Sequence, residues 1–494
     1  MALRLYNTMS ARVEEFRPIQ QNEVRMYACG PTVYDYGHIG NFRTFIAVDV
    51  LQRFLRQSGY KVHYAMNITD VDDKIIRNSA RDGVDVKQYT AKYEKAFLED
   101  AATLNIQQPI LVRATEHIPE MADFIAKLEQ KGLAYRAEDG SYYFRIAKFP
   151  AYGKLSKKDF AGMEDGARVD VDDYEKDNAR DFALWKAPKP GEASWDTPIG
   201  RGRPGWHIEC SVMSMEELGE TFDLHAGGED LIFPHHENEI AQSESLTGKT
   251  FANFWFHARF LLVEGEKMSK SLGNFFTPRD LVLKGHKPSS IRYLLASVPY
   301  RNQLNFTWDG LRQAATSVDR LYNFRLRLST GQFPAGSNEK MNQLAREAID
   351  GMKAALDDDL NTAQAQAAIF EMVRAANAAI DAGEMRKDDA FPLLRAIERF
   401  DEIFAVLADD DGPKVKAIVD WARAEGREND ITPEALALAG AGQLSDTEIE
   451  RKIAEMNAYR SARKFKESDA VRAELMAAGI LVENTKDGIR WRRK

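Results

Sequence analysis

Apolar positions along the chain alternate between two rhythms. Val24 to Ala28 and Lys61 to Thr69 read as short apolar-rich strands, and between them Val48, Leu51, Phe54 and Leu55 recur at helical spacing. Strand, helix, strand is the start of a parallel sheet. Helical periodicity returns from about Val86 to Leu104 and from Ile118 to Lys131, until Gly140 to Ile146 breaks it with a strand. From there to about Trp195 the chain is polar, with D-V-D-D-Y-E-K-D and P-K-P-G, and reads as an insertion. The sheet rhythm resumes at Thr221 to Gly228 and Phe254 to Val263, with H-H-E-N-E-I-A-Q-S-E-S between them as a helix. Two such halves around an insertion predict an α/β, doubly wound parallel-sheet (Rossmann-like) domain, whose ligands bind at the carboxyl ends of the strands.

Beyond about Pro299 the pattern is helical. Leu304 to Leu328 reads as a connecting helix, and Asn338 to Leu407 as an Ala-rich bundle. A-D-D-D-G-P (Ala408 to Pro413) reads as a break and A-G-A-G-Q-L-S (Ala439 to Ser445) as a flexible joint. The predicted partition is 1–120 for the first half of the nucleotide-binding domain, 121–200 for the insertion and 201–300 for the second half. The connecting helix and bundle take 301–410, a linker 411–445 and a small C-terminal module 446–494.

The 494 residues are 44% hydrophobic, enough for a real core. A net charge of −9 argues against a generic polyanion binder, but the stretch from Arg451 to Lys494 carries 12 Lys and Arg against 6 Asp and Glu. A basic tail on an acidic body predicts a localised contact with something anionic. The N-terminus lacks a basic segment followed by an apolar run, and no apolar stretch is of membrane-spanning length, so a cytoplasmic protein without a membrane partner is expected. With only Cys29 and Cys210, a disulfide framework is excluded.

Candidate chemistry gathers at Y-A-C-G-P-T-V-Y-D-Y-G-H-I-G-N-F-R (Tyr27 to Arg43), a strand-to-helix junction. The helix start offers unpaired N–H groups to an anion, and Gly37 and Gly40 permit close approach. Cys29 lies in one half of the fold, Cys210 in the other, and His235 and Glu239 at i, i+4 share one helix face. Two thiolates, an imidazole and a carboxylate suit Zn²⁺. His207, His236 and Glu237 are rivals for the same role, and both thiols are also readable as buried small hydrophobes. Lys267 and Lys270 in E-K-M-S-K-S-L-G-N form a cationic loop able to reach phosphates, with a plain lysine-rich surface loop as the alternative.

H-I-G-N (His38 to Asn41) with K-M-S-K-S (Lys267 to Ser271) resembles the paired signatures of the class I aminoacyl-tRNA synthetases. Y-A-C-G-P-T-V-Y-D-Y-G-H-I-G-N, N-I-T-D-V-D-D-K-I-I, G-R-P-G-W-H-I-E-C-S and G-G-E-D-L-I-F-P-H-H-E-N-E-I-A-Q resemble, more narrowly, the cysteinyl-tRNA synthetase family, over nearly the whole chain.

That resemblance implies ATP-dependent joining of L-cysteine to tRNA(Cys) through a cysteinyl-adenylate; the chain is expected to act as a monomer. It implies one zinc per subunit on Cys29, Cys210, His235 and Glu239, and a pocket shaped by Thr69, Trp206, His225 and Asp230. Catalytic roles fall to His38, Asn41, Lys267 and Lys270, and ATP, accompanied by Mg²⁺, would meet Gly37, His38, Gly40, Asn41, Lys267, Ser269 and Lys270. Asn41 stands where the family usually has a second histidine, and Glu483-Asn484-Thr485 where it commonly has E-D-T. The bundle and tail are expected to hold the anticodon arm, with Arg460, Arg463, Lys464, Arg490, Trp491, Arg492 and Arg493 as candidate contacts. Two rival readings are a zinc-dependent ligase of cysteine to an amino sugar in thiol-cofactor synthesis, and a non-catalytic zinc/RNA-binding protein.

Overall fold

The computed structural model describes residues 2–158, 181–189, 191–441, 446–485 and 488–493. Its centre is an all-parallel sheet of β1 (Glu23–Ala28), β2 (Lys61–Ile68), β3 (Ile110–Arg113), β4 (Phe222–Gly228) and β5 (Ala252–Ala258), in spatial order β5-β4-β1-β2-β3. Val24, Met26, Tyr27 and Ala28 are all buried, because a parallel sheet is covered on both faces and needs an apolar run rather than alternation. The order reverses between β1 and β4, which opens a crevice at their carboxyl ends. Register makes those ends level: Ala28 lies opposite Ala226 on one side and Met66 on the other. Residues just past the edge, Cys29 and Thr69 among them, therefore meet there.

Helices α1 (Ile39–Gln57), α2 (Asp73–Asp82), α3 (Val86–Thr103), α4 (Ile118–Gln130), α5 (Trp206–Leu218) and α6 (Glu237–Thr247) surround the sheet. Two cores result. One joins Met26 and α1 to the helices beyond the sheet; the other joins Tyr27 to α4, α5 and α6 and contains Cys29 and Cys210. α4 straddles the expected boundary at residue 120, since Met121, Ile125 and Leu128 pack into this second core. α1 is buried on most sides, so its one buried acid must be neutralised: Asp49 pairs with Arg292 at 2.5 Å and with Arg53 at 2.8 Å.

The insertion supplies an antiparallel sheet of strands 134–136, 142–144, 182–186 and 203–204. Lys186 and Arg203 both pair with Asp73 at the start of α2, the lysine at 3.0 Å, which ties this sheet back to the end of β2. The D-V-D-D-Y-E-K-D stretch and Pro190 lie outside the described residues.

Helices α7 (Pro278–Leu283), α8 (Pro288–Ser297), α9 (Trp308–Thr330), α10 (Glu339–Asp357), α11 (Thr362–Asp381), α12 (Ala390–Phe404), α13 (Asp411–Ala424) and α14 (Pro433–Ala441) follow. Then come α15 (Asp446–Ser461), α16 (Phe465–Ala477) and a hairpin of strands 480–485 and 488–493, around a core of their own that includes Ile449, Met456, Leu475 and Ile480.

Three expectations need correction. The stretch 411–445, expected as a linker, is helical up to residue 441: Val415, Ile418, Val419, Ala435 and Leu438 are buried in the large core. The single strand expected over Phe254 to Val263 is two. β5 ends at Ala258, Arg259 N–H donates to the Tyr300 carbonyl at 2.8 Å, and Leu262–Val263 joins a separate small sheet with residues 266–267 and 305–306. The helix expected from His235 begins at Glu237, after a wide turn over Ile232–His236. Residues 442–445 of the expected joint lie outside the described residues.

Candidate active site

The loop after β1 carries the first thiol. Cys29 N–H donates to the Ala226 carbonyl of β4 at 3.1 Å, which draws the thiol over the switch point. Gly30 is required next: a Cβ there would sit 1.9 Å from the Asn67 carbonyl. Instead Gly30 N–H donates to the Asn67 side-chain oxygen at 2.7 Å, and Asn67 in turn donates to Thr69 Oγ1 at 3.1 Å.

Cys210 comes from α5, and His235 and Glu239 from the turn into α6. All four are buried, and one donor atom from each lies within 4.8 Å of every other. A second grouping within the same limit is Cys29, His225, His236 and Glu239. The two thiol sulfurs are 3.8 Å apart, without a disulfide, and His235 Nε2 lies 3.0 Å from Glu239 Oε1. Two bonds of about 2.3 Å meeting at a tetrahedral centre would span that sulfur–sulfur distance, so the first set fits a zinc ion.

Electrostatics agree with a cation site. Burial pushes the Cys29 thiol well up, and its neighbours Cys210 and Glu239 add to the effect. Burial also opposes ionisation of Cys210, but the hydrogen bond with Cys29 and the proximity of His235 bring it down to about 6. For Glu239, burial is outweighed by His225 and His235, which hold it to about 2.

Surrounding residues orient these donors. His225 Nε2 is hydrogen-bonded to Glu239 Oε2 at 2.7 Å, and its ring stacks on Trp255 at 4.7 Å. Trp206 stacks on His235 at 4.1 Å. Thr69 Oγ1 donates to the buried Glu209 at 2.7 Å. Asp230 is exposed, on the turn after β4, with a carboxylate oxygen 2.4 Å from where a Cβ on Gly228 would stand. Of the rivals, His207 is bonded to His235 through Nδ1 at 3.0 Å, and Glu237 accepts backbone N–H groups from the 153–156 turn. His236 lies 3.2 Å from Cys29 Sγ and is hydrogen-bonded to His257 at 2.8 Å, which is bonded to Thr8 at 2.7 Å. Asn67, Glu209, His257 and Thr8 were given no role from the sequence, although Asn67 stands in N-I-T-D-V-D-D-K-I-I and Glu209 in G-R-P-G-W-H-I-E-C-S.

Nine residues after Cys29 the same loop enters α1. His38 is its N-cap: Asn41 N–H donates to His38 Nδ1 and His38 N–H donates to Asn41 Oδ1, both at 3.1 Å. This reciprocal pair satisfies helix-end donors that would otherwise lack partners. It assigns the Asn41 side chain a structural task. A Cβ on Gly40 would press the His38 ring at 2.9 Å, so glycine is needed there too, while Gly37 precedes the cap. Burial lowers the His38 imidazole to about 4, against a raising backbone hydrogen bond and with help from Lys270.

The lysine loop lies against this turn. Lys270 Nζ pairs with Asp35 at 2.5 Å and sits over the Phe275 ring at 5.1 Å, and Phe275 meets His38 edge-on at 5.1 Å. Ser269 N–H donates to Asn274 Oδ1 at 2.8 Å, and Asn274 donates to the Lys267 carbonyl at 3.2 Å. Lys267 is exposed. The start of α1 is tied to the stretch just after the lysine loop, where Ile39 N–H donates to the Phe276 carbonyl at 2.9 Å.

The chain matches the family described as tRNA synthetases class I (C) catalytic domain over residues 15–316, and a DALR domain over residues 352–408. It is 69% identical to the cysteine–tRNA ligase of Koribacter versatilis (strain Ellin345) over 495 aligned positions, covering 100% of both chains. Against the cysteine–tRNA ligase of Solibacter usitatus (strain Ellin6076) identity is 54% with the same coverage. Among solved structures it resembles Mycobacterium tuberculosis methionyl-tRNA synthetase in complex with methionyl-adenylate. That likeness has a TM-score of 0.56 at 16% identity over 86% of this chain and 95% of that one, a likeness of fold. Neither the amino-sugar ligase nor the non-catalytic binding reading finds support among these relatives. Among the described residues no helix is long and apolar enough to cross a membrane.

Proposed function

Because this chain belongs to the cysteine–tRNA ligases, a family of class I aminoacyl-tRNA synthetases, we propose that its one cleft divides two tasks between the ends of a single loop. The reaction joins L-cysteine to tRNA(Cys) with ATP. The cysteine carboxylate attacks the α-phosphate of ATP, cysteinyl-adenylate forms as pyrophosphate leaves, and the terminal ribose hydroxyl of the tRNA then takes the acyl group while AMP leaves. The observation that carries the division is that the Cys29, Cys210, His235 and Glu239 donors converge at the start of the loop that ends in the His38 cap.

Cys29, Cys210, His235 and Glu239 would hold a zinc ion. When bound, that ion supplies a Lewis acid that prefers a substrate thiolate to a hydroxyl, which separates cysteine from serine. His225, under Trp255, fixes Glu239, and Trp206 fixes His235. Thr69, held between Asn67 and Glu209, and Asp230, at the rim, shape the space for the rest of the amino acid.

At the other end, His38 works as a neutral group. With Nδ1 accepting from Asn41 N–H, its proton resides on Nε2, the atom left to donate to a phosphate oxygen. Lys270 and Lys267 supply positive charge as the pyrophosphate leaves, and Ser269 and Asn274 hold the loop's shape. Mg²⁺ enters with ATP. The exposed Arg460, Arg463 and Lys464 of the C-terminal module suit the phosphates of the anticodon arm; the side chains of Arg490, Arg492 and Arg493, and of Glu483, Asn484 and Thr485, lie outside the described residues.

Cysteine-dependent ATP–pyrophosphate exchange, followed by charging of tRNA(Cys), tests the reading. Protein with one zinc per chain should do both and should reject serine. Metal-free protein with full activity would remove the zinc assignment, and absence of exchange by metal-replete protein would remove the function.

A further inference from the structure

Helix α13, in the stretch whose composition suggested a linker, lies against α7 and against the turn that leads into α1. Its Trp421 meets the Tyr36 ring edge-on at 5.5 Å, and Tyr36 is two residues before His38. The Arg279 guanidinium packs beside both rings, 4.4 Å from the Trp421 ring centre and 5.3 Å from that of Tyr36. Arg279 is only 2% exposed and is anchored from α3, by Asp100 at 2.6 Å and Glu99 at 2.8 Å. It is the second residue of α7, the helix that the lysine loop runs into.

A second tie runs parallel to the first. Arg427, just past α13, pairs with Asp280 at 2.8 Å. Asp280 accepts hydrogen bonds from Thr277 N–H at 2.8 Å and Thr277 Oγ1 at 2.7 Å, so it closes the N-terminal cap of α7. Thr432, at the start of α14, donates through both N–H and Oγ1 to the Leu283 carbonyl at the other end of α7, each at 3.0 Å. α7 is thus gripped at both ends by the α13–α14 segment. Its upstream neighbour Phe276 carries the carbonyl that accepts from Ile39 at the start of α1.

We propose that Trp421 is a positioning residue for the nucleotide end of the cleft: by seating Arg279 against Tyr36, it keeps the lysine loop and the histidine cap in one register. A guanidinium packed on two rings that also touch each other is held by its charge and by the ring faces together, so a shift of either ring moves the helix start that it serves. The thiol cluster lies in the other core and is insulated from this contact. The inference rests on the function proposed above, since it is read through the ATP half of that reaction.

The test is pyrophosphate exchange by full-length protein. Trp421→Ala should raise KM for ATP by about tenfold, the scale of one lost cation–π contact, and leave KM for cysteine within about twofold. Trp421→Phe, which keeps a flat ring, should restore most of the loss. Arg427→Gln, at a partly exposed pair, should move the same constant the same way by about threefold, and it carries the test if Trp421→Ala does not fold. The proposal is overturned by an unchanged KM for ATP, by KM for cysteine rising in step, or by Trp421→Phe failing as badly as alanine. Wild-type protein without cysteine-dependent exchange would instead overturn the functional reading.

Discussion

The two ends of the loop from Cys29 to His38 are built on opposite principles. At the thiol end every donor is buried, each is held by at least one further side chain, and Trp206 and Trp255 brace the imidazoles from outside. At the phosphate end Lys270 is 65% exposed, and the carboxylate it pairs with, that of Asp35, is itself 35% exposed. An exposed pair of that kind is worth on the order of 0.2–1 kcal/mol, so a polyphosphate can displace it. Discrimination between cysteine and serine needs a pocket that does not adapt. Stabilisation of leaving pyrophosphate needs charges that close on it and then let go.

Breaking the buried end should give the largest effect. Cys210→Ser removes a soft donor and leaves a hydroxyl among buried charges, so kcat/KM for cysteine in pyrophosphate exchange should fall by about 10³-fold or more. ATP affinity, measured by calorimetry, should stay within about twofold. Equal loss of both would erase the distinction between the ends. Lys270→Ala should come next: kcat for exchange should drop by about 10²–10³-fold, the usual cost of one charge aimed at a transition state. Its KM for cysteine should be unchanged, and a matching rise there would mean that the lysine loop also shapes the amino-acid pocket.

His38 sharpens the comparison by pH. Because its imidazole is lowered to about 4, it is neutral throughout the range in which the enzyme is assayed, and it can lose a proton-dependent role only below that range. His38→Asn should reduce kcat by about 10²-fold. The ratio of wild-type to variant kcat should be flat from about pH 6 to 8; a step near the ordinary imidazole value of about 6.5 would show a solvated, titrating His38.

Much of the buried end was legible because its signals are local. The apolar runs of β1 and β2, the i, i+4 spacing of His235 and Glu239, and the scarcity of cysteines each need only a short window of sequence. What was misread has a physical reason in each case. The D-D-D-G-P run looked like a break, yet acids and proline also begin helices; Asp411 starts α13 and accepts from Ser289 N–H at 2.9 Å and Ser289 Oγ at 2.5 Å. The apolar run Phe254 to Val263 concealed a handover between two sheets, because apolar periodicity does not distinguish one long buried strand from two short ones. The Asp35–Lys270 and His257–Thr8 contacts join residues more than 200 positions apart, and the His236–His257 contact joins the turn after β4 to β5; no spacing rule reaches them.

The smallest expected effect concerns that pair. If the phosphate end is assembled by its ligand, Asp35 competes with ATP for Lys270, and removing its charge should make ATP binding easier. Asp35→Asn keeps the shape and a hydrogen-bond acceptor, so KM for ATP should fall by about two- to fivefold at low ionic strength, in line with an exposed pair of at most about 1 kcal/mol. Salt near 0.5 M, where the screening length is only about 4 Å, should abolish most of the difference. KM for cysteine should not move at either salt concentration. A rise in KM for ATP would reverse the sign and give Asp35 the opposite role, that of holding Lys270 where phosphates find it. In that event both ends of the loop would be preformed, and the contrast between a fixed thiol pocket and a ligand-assembled phosphate grip would fail.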